Sequence, residues 1–271
     1  MNFKINFQLQ DIDKIIPFGA KQDYLSWFGL MDSLLWIEVG DQTIYEYTKE
    51  AQNYFGRSTP PYDDYQLSRF LEDFFEMFQS VCESIPESFY RALDHAGKYQ
   101  EMAEKWLDVR VGADDVTDEE YWDFVESEYD GLMRWYLNRT LDSGHLVGGP
   151  LIGCFRCGDL LRIQWDGDYR LESGNSIWTA PKGSYEMPYE LFVSEVRRFL
   201  DSFFKAMDMQ VERATAKAWG DVKLDKALLW EEHERRRREF YLQLSYLETA
   251  PENEDWERIK GLVVKMKQEI A

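Results

Sequence analysis

At 271 residues, 44% hydrophobic and 16% aromatic, the chain can bury one large core or two modest ones and is too apolar to stay disordered. A net charge of −20 argues against nucleic acid or an anionic membrane held through a basic surface. No run approaches the roughly 18 apolar residues of a membrane-spanning helix, and three cysteines fit a reducing compartment better than a disulfide scaffold.

The opening MNFKINFQLQDIDKII alternates where a signal peptide would run apolar, so a cytoplasmic protein is expected. Within it, residues 3–9 read as a half-buried strand. Ile16-Pro17-Phe18-Gly19 is a break, and three short strands are predicted near 25–30, 33–39 and 42–47, with Gly40-Asp41-Gln42 as one of the turns. A helix is predicted from about Asp63, carrying Leu67, Phe70, Leu71, Phe74, Phe75, Phe78 and Val81 at spacings of three and four, which makes it a core helix. Two further helices follow. One spans about 87–107. The other starts at Thr117-Asp118-Glu119-Glu120, a capping box, and continues through Trp122, Val125, Tyr129, Leu132, Met133 and Tyr136.

The second half repeats the plan of the first. Leu160-Leu161-Arg162-Ile163-Gln164-Trp165 answers Leu34-Leu35-Trp36-Ile37-Glu38-Val39, and FLDSFFKAM (Phe199–Met207) lies over FLEDFFEMF (Phe70–Phe78) with Phe70, Leu71, Phe74 and Phe75 matched identically. A strand is predicted over Ser176–Ala180, then a loop through Pro181, Gly183 and Pro188. Two C-terminal helices, about 224–247 and 254–270, are predicted to form a hairpin around Pro251. The class is α+β, because strands come in runs. The organisation is a duplicated core over 1–213 (first unit 1–84, helical insert 85–140, second unit 141–213) and a C-terminal helical hairpin over 214–271 packed on it.

Catalytic and metal signatures are sparse. Cys154-Phe155-Arg156-Cys157 is a single CxxC with no second pair and no histidine at ligand spacing, so no metal or cofactor is expected. Asp142, Ser143 and His145 sit on one Gly-rich loop. Three residues so close in sequence rarely reach triad geometry, and the serine lacks a nucleophile elbow, so a structural turn is expected. The alternative is a hydrolase-like enzyme using Asp142–His145. Arg235 to Arg238 follow Glu231, Glu232 and Glu234 on a helix, which offer pairs at three and four residues, and read as a solvated face.

The charge itself is the clearest signal. Residues through Pro150 hold 29 Asp and Glu against 12 Lys and Arg, and the remainder 22 against 19. The densest block runs from 114 to 130, with Asp114, Asp115, Asp118, Glu119, Glu120, Asp123, Glu126 and Glu128 and no basic residue. These acids are the predicted face for a basic protein partner.

Ile16-Pro17-Phe18-Gly19, Leu25 to Leu30, Trp36-Ile37, Gly144-His145-Leu146, Arg156-Cys157-Gly158-Asp159 and Ile177 to Pro181 together resemble a bacterial family of unknown function, over most of the chain up to about Arg213. The shared residues are turn and aromatic patterns and transfer no residue roles. By analogy with small acidic bacterial proteins, the resemblance implies an immunity protein that occludes a toxin. The expected function is therefore an acidic cytoplasmic binding protein, not an enzyme, with neither nucleic acid nor membrane as partner.

Overall fold

The computed structural model describes residues 2–19, 24–56, 58–93, 97–112 and 116–271. Its class is α+β. Strands β1 (Phe3–Leu9), β2 (Ser33–Val39) and β3 (Gln42–Ile44) form one antiparallel meander; β4 (Thr140–Asp142), β5 (Leu151–Cys157), β6 (Leu160–Asp166) and β7 (Lys182–Pro188) form a second. The helices are α1 (Lys49–Phe55), α2 (Leu67–Glu76), α3 (Phe78–Val81), α4 (Glu87–Ala92), α5 (Lys98–Val111), α6 (Asp118–Phe124), α7 (Asp130–Leu137), α8 (Tyr189–Ala216), α9 (Lys226–Tyr246) and α10 (Trp256–Glu269). Among the described residues no helix is long and apolar enough to cross a membrane.

Both halves thus carry an antiparallel meander followed by an amphipathic helix, β1-β2-β3 with α2 and β5-β6-β7 with α8. The matched phenylalanines meet: the rings of Phe70 and Phe199 pack edge to face at 6.1 Å. Helices α2 and α8 each touch both sheets. Helix α8 lies on β1, where Phe192 stacks on Phe3 and Phe199 packs on Phe7, so the second unit's helix closes the first unit's sheet. Each phenylalanine buried here contributes about 1.5–3 kcal/mol.

Sheet two separates two cores. Ile152, Cys154, Ile163 and Trp165 face α2, α8, α9 and the inner side of sheet one. Phe155, on the opposite face, joins α4, α5, α7 and α10 in a second core around Trp106, Trp135 and Tyr136. The two C-terminal helices form as predicted, and each serves a different core: α9 packs on α2, α3 and α8, and α10 on α5 and α7. Helix α8 runs unbroken through residue 213.

Several predicted elements differ. Residues 25–30 are not a strand; Phe28–Leu30 is one 3-10 turn in which the Ser26 hydroxyl accepts the Gly29 N–H, and β1 supplies the third strand instead. Residues 176–180 are likewise bent, with the Ser176 hydroxyl accepting the Trp178 N–H. The strand lies at 182–188, in the segment read as a loop. Its one proline, Pro188, is tolerated on an edge strand, and the Trp165 indole lies across Gly183, where any Cβ would collide with it. The stretch 62–66 extends along β2 (Leu35 pairs with Asp63), which delays α2 to Leu67. The predicted 87–107 helix is two helices, with Gly97 at φ +83° preceding the second.

The free edge of β1 is closed by side chains. Glu195 Oε1 accepts the Ile5 N–H at 2.7 Å, and Arg198, bonded to the same carboxylate, donates to the Ile5 carbonyl at 2.6 Å. Replacing Glu195 by Ala leaves a buried N–H unpaired. Urea unfolding of Glu195→Ala is expected to show a loss of about 1–3 kcal/mol, and a larger loss than for the half-exposed Arg198→Ala.

Candidate functional site

The acidic block is divided by the fold. Thr117 caps α6, its hydroxyl accepting the Glu120 N–H while the Glu120 carboxylate takes the Thr117 N–H at 2.9 Å and hydroxyl at 2.8 Å. That bonding draws the Glu120 carboxyl below its ordinary range. Glu128 is held by Lys265 at 2.5 Å and lies 3.9 Å from Arg110. Asp118, Glu119, Asp123 and Glu126 are exposed, and their carboxylates have no partner among the described residues. Asp114 and Asp115 lie outside the described residues.

Between α6 and α7, residues Val125–Tyr129 form a wide π-type turn. Such turns are frequent at functional sites. The extra residue shifts the helical phase by roughly 100°, so Phe124 takes the inward position, edge to face on Trp106 at 4.9 Å. Trp122, predicted to share the apolar face, is turned outward and is 57% exposed. It stands in the middle of the four unpaired carboxylates. The periodic reading missed it because it assumed one uninterrupted helix. The platform beneath is fixed, with Arg258 donating to the Ser127 carbonyl at 2.8 Å and Arg110 over the Phe124 ring.

The Asp142–His145 loop is arranged differently from a triad. Ser143 is buried and shares a 2.6 Å hydrogen bond with the buried Tyr45 hydroxyl, whereas Asp142 points outward and accepts the Gly144 N–H at 2.8 Å. His145 stacks on Tyr65 at 4.7 Å above a cleft of about 760 Å³ that Arg69, Asp73 and Asp142 also line. Burial and then the nearby Arg69 push the His145 ring below its ordinary pKa. Ser143 and His145 both line a small cavity beside Tyr45 and Asp63, but the Ser143 hydroxyl is bonded to Tyr45, and among the described residues no hydrogen bond joins it to His145.

The remaining candidates are structural. His233 Nδ1 accepts the Trp27 indole N–H at 3.1 Å, and its Nε2 lies 2.9 Å from Asp208, which also holds Arg237. Cys154 and Cys157 are three apart on one strand and point to opposite faces. Burial pushes the Cys154 thiol up to about 12.

A family profile described as "Family of unknown function (DUF5984)" matches residues 4–262. No curated protein and no solved structure matches the chain.

Asp63 is a buried carboxyl that sequence gave no sign of. It is 4% exposed, accepts the Tyr65 N–H at 3.2 Å, and lines a small cavity beside Tyr45 and Ser143. Burial, with Asp64 adding to it, pushes its pKa up to about 7. An unfolded Asp titrates near 3.9, so the native state binds the extra proton between those values. Its contribution is full below about pH 4 and is lost as pH rises to about 7. Asp63→Asn removes that loss. Its Tm is expected to exceed wild type by several degrees at pH 8, with the gap closing toward pH 4, as read by thermal unfolding across a pH series.

Proposed function

We propose that this chain, which belongs to the DUF5984 family of unknown function, is an acidic protein-binding protein that docks a basic partner on the α6 face. One observation carries the reading: an exposed tryptophan stands amid Asp118, Glu119, Asp123 and Glu126, none of them paired among the described residues. Tryptophan is the residue type most enriched at binding hot spots. Like charges three and four residues apart cost each other a few tenths of a kcal/mol, and a cationic partner turns that cost into attraction. The carboxylates set the rate and direction of encounter, and Trp122 supplies the desolvated anchor.

The partner class is a protein with a cationic active surface. The mode is occlusion, in the manner of an immunity protein in the cytoplasm that seats its acidic helix where a toxin's own anionic substrate would lie. The backing of α6 by α5, and of the turn after it by Arg258 of α10, favours tight binding, since little ordering remains to be done on association.

The test is capture of a basic protein from the source cells on immobilised wild type, followed by association kinetics with that purified protein. The triple variant Glu119→Gln, Asp123→Asn, Glu126→Gln is expected to keep or slightly raise Tm. Its association should slow by about tenfold or more at low salt, with the difference narrowing near roughly 0.5 M salt. Trp122→Ala should act instead on dissociation. Equal on-rates for wild type and the triple variant at low salt would return the acidic helix to a merely solvated face.

A further inference from the structure

Helices α4, α5 and α10 enclose an apolar cavity of about 140 Å³, walled by Phe89, Leu93, Met102 and Val263. An engineered apolar cavity of roughly 150 Å³ stays dry and takes up benzene. The space therefore fits one six-membered ring or a short branched chain. Lys98 and Lys267 also line it. Each stands four residues from an apolar wall residue on its own helix, Lys98 from Met102 on α5 and Lys267 from Val263 on α10, so each ammonium is on the cavity side of its helix.

These two lysines differ from the others on the same helices. Lys105 donates to the Ile270 carbonyl at 3.0 Å, Lys260 pairs with Glu257 at 2.6 Å and Lys265 with Glu128 at 2.5 Å. Among the described residues, Lys98 and Lys267 have no hydrogen bond or ion pair. In a chain of net charge −20, two ammonium groups lining one largely apolar cavity are a local reversal of the surface. The cavity also lies at the first turn of α5, where the helix dipole favours an anion.

We propose that this cavity is a binding site for a small apolar carboxylate: a single aromatic ring or short branched chain seated among Phe89, Met102 and Val263, its anionic head held between Lys98 and Lys267. The flexible lysine stems reach over the mouth while their charges stay in water. A cation of the same shape meets two like charges, and a neutral analogue gains the apolar contact without the head-group attraction. The site is separate from the α6 face and does not depend on it.

The experiment uses the full chain labelled at methionine methyl groups, with benzoate, benzyl alcohol and benzylamine as probes. Met102 is assigned through Met102→Leu. Benzoate is expected to shift the Met102 methyl resonance saturably and to bind about tenfold tighter than benzyl alcohol, with benzylamine weaker still. The double variant Lys98→Gln, Lys267→Gln should fold normally and bind benzoate no better than wild type binds benzyl alcohol. Val263→Phe should fill the space and abolish the response to all three. Absence of a saturable benzoate shift, equal affinity for benzoate and benzyl alcohol, or benzoate affinity unchanged in the lysine variant would each overturn the assignment.

Discussion

A single buried cation joins the parts of this molecule. Arg139 has no exposed surface. It donates to Glu83 at 2.7 Å and to the Trp135 carbonyl at 2.8 Å, and its own carbonyl accepts the Cys154 N–H at 2.8 Å. The other oxygen of Glu83 accepts the N–H groups of Asn253 and Glu254 and the Trp256 indole. The end of α3, the end of α7, the middle of sheet two and the connection from α9 to α10 therefore meet at one ion pair. Removing two charges from water costs several kcal/mol each, and only a nearly complete set of hydrogen bonds offsets that. Of the Arg139 donors only Nε lacks a partner, and the guanidinium lies over the Trp256 ring at 5.7 Å.

The position of the α6 face follows from this anchor. With its start fixed at Glu83, α10 lies against α5 and α7 and presents Arg258 and Lys265 to Ser127 and Glu128. Those contacts hold the wide turn that follows α6. The turn in its place sets the phase that sends Phe124 inward and Trp122 outward. The proposed binding surface thus depends on a buried charge that never touches it, through a chain of packed helices and not through any direct bond.

What the sequence made legible was whatever depends on near neighbours. The phenylalanine stripes of α2 and α8, the Thr117 capping box and the β5–β6 hairpin all came from spacings within a dozen residues. The places where reading failed share a cause. Ser26 and Ser176 bend their segments through side-chain bonds that compete with the ladder, β7 is a strand because Trp165 lies across Gly183, and Trp122 faces out because five residues take a wider turn. Asp63 and the lysine-flanked cavity carry no pattern at all, since each is made by groups from elements far apart in sequence. Of the candidate acids, the capping role of Glu120 was readable, but the pairing of Glu128 with α10 was not.

The most direct test of the Arg139–Glu83 anchor is amide hydrogen exchange of wild type and Glu83→Gln, which removes the nearer of the guanidinium's two counter-charges and leaves Glu254 at 3.4 Å. The account predicts faster exchange in α6, α7 and α10 together, while β1, β2 and α8 keep their protection. Exchange that changes only at residues 253–256, or nowhere, would contradict it.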